Sequence, residues 1–142
     1  MIPLDLEEVR DCATSAGLEV ELWQDTGTIR LSLKSPWQIH DVAPDWFLRK
    51  DGPWCLVGRE QSPPLENSME PSAAQEFPIL AQHRAVRIAS PEEFVAVLRA
   101  LLKVGWCVNN DAYLFPEAGN WLAYVSHHNE LFLYTPPESA SG

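Results

Sequence analysis

The sequence predicts an α+β fold in which two helices pack on mainly antiparallel sheet. Three observations carry this. Ser90 to Lys103 has the signature of one capped, broadly apolar helix. The segments on either side of it follow the period-two pattern of strands, not the helical period. Short runs rich in Asn, Asp and Gly separate those segments, as tight connections between antiparallel neighbours require. The expected order is α-β-β-β-β-loop-β-α-β-β-β-β, a single domain over residues 1–135.

The first helix is expected from Leu4 to Ala16. Asp5 caps it, Glu8 completes a capping box, and Leu4 is placed to staple against Val9. Leu6, Val9, Ala13 and Ala16 form one apolar stripe, and Gly17 ends the helix. Leu18 to Trp23 alternates cleanly, with Leu18, Val20 and Leu22 inside and Glu19 and Glu21 outside. Asp25-Thr26-Gly27 turns the chain. Ile29, Leu31 and Leu33 then alternate with Arg30, Ser32 and Lys34, which completes a hairpin.

Pro36 to Pro44 is expected to be a connection with Trp37 and Ile39 tucked in. Trp46-Phe47-Leu48 and Trp54 to Val57, joined at Lys50-Asp51-Gly52, suggest a second hairpin. Gln61 to Glu76 is rich in Pro, Ser and Glu and is expected to be a mobile loop. Phe77 to Ala89 is expected to return as a strand. Pro78 would place it at an edge, and His83, Arg84 and Arg87 would be the charges that protect such an edge.

Ser90-Pro91-Glu92-Glu93 starts the second helix, with Ser90 accepting from the Glu93 amide, Glu93 reaching back, and Pro91 at the first helical position. Only Glu92, Ala96, Arg99 and Lys103 break its apolar surface, so most sides should be buried. Gly105 is the natural stop. Four strands should follow: Trp106–Val108, Tyr113–Phe115, Trp121–Ser126 and Glu130–Tyr134. The turns between them are Asn109-Asn110-Asp111, Pro116 to Asn120, and His127-His128-Asn129. Residues 136–142 are expected to be a disordered tail.

These last strands are apolar on both faces. Ala123 and Val125 oppose Leu122 and Tyr124, and Leu131 and Leu133 oppose Phe132 and Tyr134. An antiparallel sheet with one wet face should alternate apolar and polar residues. Either another part of the chain covers the second face, or that face binds something. Trp106, Trp121, Tyr124, Phe132 and Tyr134 are the candidate binding residues on this reasoning.

Composition narrows the function. The chain has 142 residues and a net charge of −10, which argues against a nucleic-acid partner, since phosphate binding rests on Lys and Arg. That charge suits a basic protein partner met by electrostatic steering, or simply keeps the chain in solution. No run is long enough to span a membrane, and no secretory signal is read at the N-terminus. The three cysteines, Cys12, Cys55 and Cys107, have no metal spacing and are expected to be reduced buried thiols, so a cytoplasmic location is expected. Six tryptophans are many for this length, and tryptophan is a frequent interface anchor as well as a core residue.

Motifs for chemistry are sparse. His127 and His128 with Glu130 could face a metal from a turn, but a second ligand pair is missing and solvated turn residues are the plainer reading. Cys107 with Asn109 and a distant histidine could imitate a nucleophile set, yet a thiol inside an apolar strand is usually inert. His40-Asp41 is a common dipeptide without a nucleophile. No glycine-rich phosphate loop, Cys-x-x-Cys or His-Glu-x-x-His is present. No cofactor, metal or catalytic residue is therefore assigned.

The expected function is a non-catalytic, acidic protein-binding module that masks a partner, in the manner of bacterial immunity or antitoxin proteins or of chaperones. The helix ending in Ala16-Gly17-Leu18 and the hairpin through Asp25-Thr26-Gly27 resemble the opening of type III secretion chaperones over about 30 residues. The tryptophan-rich middle and the missing C-terminal helix depart from that pattern. The alternative is a small-ligand-binding or enzymatic α+β domain whose second sheet face curves into a pocket lined by Trp106, Trp121, Tyr124 and Phe132. A homodimer pairing two sheets face to face is the third expectation.

Overall fold

The structure, a computed structural model, describes residues 1–34, 36–104 and 111–137. The fold is α+β, as the sequence predicts. Its centre is a seven-stranded sheet, formed by β1 (Ile2–Leu4), β4 (Gln38–Asp41), β5 (Trp54–Gly58), β6 (Ala85–Ile88), β7 (Ala112–Pro116), β8 (Leu122–Val125) and β9 (Leu131–Thr135). Their spatial order is β1-β6-β5-β7-β8-β9-β4, and each recorded pairing is antiparallel. A separate hairpin pairs β2 (Leu18–Trp23) with β3 (Thr28–Leu33).

One face of the sheet carries α4 (Pro91–Lys103), a 3-10 helix (Pro44–Arg49) and two short helices, α2 (Pro71–Glu76) and α3 (Pro78–Gln82). Leu56, Leu114, Ala123 and Val125 from the sheet meet Phe94, Leu98 and Leu101 from α4 there. Trp54 stacks on Phe94 at 4.6 Å and 16°, and Phe47 meets Phe94 edge-on at 5.1 Å. Gly52 is glycine because the Trp54 ring lies over it: an added Cβ would sit 2.6 Å from that ring.

The second face is covered by α1 (Leu6–Ser15) and the β2–β3 hairpin. Val9, Ala13, Ile29, Leu31 and Leu33 pack there against Cys55, Val57, Ala85 and Phe115. This explains why the strands are apolar on both sides: the chain supplies its own second cover. The face left open by the sequence for another copy is thus occupied over much of its width.

The capping box of α1 forms, with the Glu8 amide 2.7 Å from Asp5 Oδ1 and the Asp5 amide 3.2 Å from Glu8 Oε1. Ser90 caps α4 by accepting from the Glu93 amide at 3.3 Å. The expected return bond from Glu93 is replaced, since its Oε1 accepts from the Met1 amine at 3.4 Å. The polar seam of α4 is also as expected, with Glu92, Arg99 and Lys103 exposed. The Gly105 stop, the Trp106–Val108 strand and most of the tail (138–142) lie outside the described residues.

Five expectations are corrected. Trp46-Phe47-Leu48 is not a strand but part of the 3-10 helix begun by Pro44. In a strand, Trp46 and Phe47 would point to opposite faces, whereas the tight turn lets both rings meet Trp121, at 5.8 and 5.1 Å. Phe77 to Ala89 holds α3 as well as β6, with Pro78 at a helix start where it costs no hydrogen bond. β6 is not an edge either, because β1 pairs with it and Pro3 blunts the true edge. Trp37 and Ile39 are not tucked in: they are 43% and 55% exposed, and Gln38–Asp41 forms the edge strand β4. The segment 61–76 contains α2 and buries Leu65 completely, so it is more than a loop.

Candidate functional site

A cleft of about 490 Å³ opens where the hairpin stops short of the far end of the sheet. Its floor is the second sheet face, with Tyr113 from β7, Leu122 and Tyr124 from β8, and Tyr134 from β9. One wall is β3, from Arg30 to Leu33. Trp37 stands opposite, its ring edge-on to Tyr134 at 5.1 Å. Trp23 and Arg59 complete the lining.

The cover is shorter than the sheet. The β2–β3 hairpin is two strands wide, and the sheet beneath it has seven. Tyrosines then occupy the uncovered ground, with apolar rings against the core and the Tyr124 hydroxyl turned to Arg59. β3 contributes backbone as well. The Ile29 amide donates away from β2, to the Arg59 carbonyl at 2.9 Å. Strand alternation turns the amides and carbonyls of Leu31 and Leu33 the same way, toward the cleft. The Leu31 backbone is hydrogen-bonded to the Tyr113 hydroxyl.

Burial dominates the electrostatics. It pushes Tyr113 and Tyr134 up, and pushes Tyr124 up to about 12 with help from the nearby Asp111 carboxylate. All three hydroxyls are therefore neutral donors at ordinary pH. Burial pulls the Arg59 guanidinium down, but Tyr124, Tyr113 and Glu60 outweigh it and the net direction is up. Arg59 Nη1 lies 3.4 Å from the Tyr124 hydroxyl and 3.9 Å from Asp111 Oδ2, while its buried Nε has no partner among the described residues. Arg30 stands across the hairpin from Glu21. Arg59 is thus partly balanced by Asp111, the Glu21 carboxylate is held by the Trp23 indole at 2.8 Å, and the cleft is mainly aromatic with polar tips.

Beside Arg59, buried Asp111 accepts from the His127 amide at 2.6 Å and lies 3.0 Å from His127 Nδ1. An imidazole oriented by a carboxylate is one part of a general-base arrangement. Here the same carboxylate also holds the turn's backbone and faces Arg59, which makes it a clamp on the β8–β9 turn. The rings of His127 and His128 are 4.2 Å apart. On the covered part of the second face, Cys12, Cys55 and Glu117 bring two thiols and a carboxylate together, their candidate ligand atoms all within 4.8 Å of one another. Burial, with Cys12 beside it, pushes the Cys55 thiol up.

The sequence-derived binding residues separate. Tyr124 and Tyr134 both line the cleft. Trp121 is in the core on the helical face, 9% exposed, against Trp46 and Phe47. Phe132 is half-buried and shares strand parity with Tyr134 without lining the cleft. Trp106 and Cys107 lie outside the described residues. Trp23, Trp37 and Arg59 were missed as cleft residues. The available signal was Trp23, which closes an otherwise alternating strand at a position where a polar residue belongs. No helix among the described residues is long and apolar enough to cross a membrane. No family model, curated protein or solved structure matches the chain, so the geometry of the cleft carries the functional reading.

Proposed function

We propose that the protein is a non-catalytic binding module that holds an extended segment of a partner protein in this cleft. The observation that carries the reading is the pairing of an outward-turned strand edge with an aromatic floor and wall. The Leu33 main chain and the Leu31 carbonyl can continue a β ladder into the partner segment, the Leu31 amide being held by Tyr113, while Trp37, Tyr124 and Tyr134 grip alternate side chains. The acidic exterior, with net charge −10, favours a partner of net positive charge and rapid, salt-sensitive encounter. Immunity-type and chaperone-type masking both fit this mode.

Selection from a random peptide library on the immobilised full chain tests it. Selected peptides should lose at least about tenfold in affinity on Trp37→Ala, a change of roughly 1.4 kcal/mol. They should also shift the amide resonances of Leu31 and Leu33. Peptides that bind the wild type and Trp37→Ala equally would refute the placement. The volume of about 490 Å³ also lies in the range of small-molecule pockets. A small apolar compound that raises the unfolding temperature, in the absence of any selected peptide, would favour that second reading.

A further inference from the structure

We propose that Cys12, Cys55 and Glu117 form a binding site for a soft divalent cation of the zinc type, independent of the cleft. The three residues come from distant parts of the chain: α1, β5 and the residue that follows β7. The fold aligns them. Cys55 is in register with Phe115 on one neighbouring strand and Arg87 on the other. Glu117, two residues beyond Phe115, is fixed by its amide bond to the Pro53 carbonyl at 3.0 Å. Helix α1 then sets Cys12 over this row, with Val9 and Ala13 beside it buried in the same cluster.

The spacing is that of a slightly open metal site, which small side-chain rotations would close. Tetrahedral zinc, with Zn–S near 2.3 Å and Zn–O near 2.0–2.2 Å, places its ligand atoms roughly 3.5–3.8 Å apart. The three candidate atoms here already lie within 4.8 Å of one another. Cys55 is fully buried, while Cys12 and Glu117 are partly exposed, which leaves an entry route and a fourth position for water.

Charge and ligand chemistry agree with this. Arg87 holds Glu117 through Nε to Oε1 at 2.6 Å and Nη2 to Oε2 at 3.0 Å, a pair that is neutral as a unit. A divalent cation that binds both thiols displaces two protons, so the cluster gains no net charge on loading. Arg87 then becomes the hydrogen-bonding support of a ligating carboxylate, the usual companion of a metal ligand. Two thiolates select a soft or borderline ion over magnesium or calcium.

The test is a Co²⁺ titration of the reduced, full-length chain. One equivalent should produce thiolate-to-cobalt charge-transfer absorption with tetrahedral d–d bands, and Zn²⁺ should bleach both. Cys12→Ser and Cys55→Ser should each abolish the thiolate band, Cys107→Ser should retain it, and Glu117→Gln should weaken binding at least about tenfold. Absence of the band in the folded wild-type chain overturns the proposal without recourse to any variant. So does a band that survives Cys12→Ser, or one lost only in Cys107→Ser. Peptide binding by the cleft is read separately and does not depend on either result.

Discussion

Arg84 ties the hairpin turn to the end of β5 through three carbonyls. Its Nε donates to the Gly58 carbonyl at 2.8 Å, and its Nη2 donates to the carbonyls of Gly27 and Arg59, each at 2.7 Å. Burial lowers its pKa, with Glu60 opposing, yet the group stays charged at any ordinary pH. Arg84→Ala should destabilise the fold by about 3 kcal/mol in denaturant unfolding, because three carbonyls lose a charged donor. Arg84→Lys should recover less than half of that, since an ammonium lacks the planar fork. Tyr124 sets a second residue-scale expectation. Its folded pKa, near 12, lies above the ordinary value of 10.0, so the protonated form is the one the fold favours. Its contribution is complete below about pH 10 and is lost as the pH rises through about 12. Discounted for partial exposure, the loss should be on the order of 1 kcal/mol. The stability of wild type should therefore fall relative to Tyr124→Phe across that alkaline range, and a constant difference would contradict the assignment.

At the scale of elements, the two long helices are held in different ways. Helix α1 touches the sheet through a narrow stripe, and among its residues only Val9 and Ala13 are buried. Local devices matter more to it, so Asp5→Ala should cost about 1 kcal/mol through the capping box. Helix α4 buries Phe94, Val95, Val97, Leu98, Ala100 and Leu101. Loss of its cap should be a small fraction of its stability, whereas Phe94→Ala should cost about 3–5 kcal/mol by emptying the space between Trp54 and Phe47. Thermal unfolding of the two variants gives the ranking directly. The reverse order would mean that α4 is held by its ends and not by its buried face.

At the scale of the molecule, the described tryptophans divide between holding the fold and facing the cleft. Trp121→Ala should destabilise by about 3–5 kcal/mol, because the ring is enclosed by Trp46 and Phe47. Trp37→Ala should leave stability within about 1 kcal/mol of wild type, since the ring is 43% exposed, and should act on binding. Circular dichroism melts paired with peptide affinities separate the two roles. The net charge acts over the whole surface, so the association rate with a basic partner should fall steeply between low and physiological salt while the dissociation rate changes little.

What the sequence determined by itself was what local physics decides. The β2–β3 hairpin follows from strict alternation around Asp25-Thr26-Gly27, and both helix starts follow from Asp5 and Ser90 as caps. The α+β class and the apolar second face of β8 and β9 were legible for the same reason, since periodicity records which sides of an element are dry. Tertiary structure decided the rest. Trp46-Phe47 became a 3-10 turn because two adjacent rings had to reach one tryptophan. Ala85–Ile88 became an interior strand because β1, too short to show a period, pairs with it. The cleft exists only because a two-stranded cover lies on a wider sheet, and Cys12, Cys55 and Glu117 meet only across three elements. Contacts between residues far apart in sequence leave no spacing for a motif to record, so of the cleft only Tyr124 and Tyr134 were legible along the chain, and the thiol–carboxylate cluster was not.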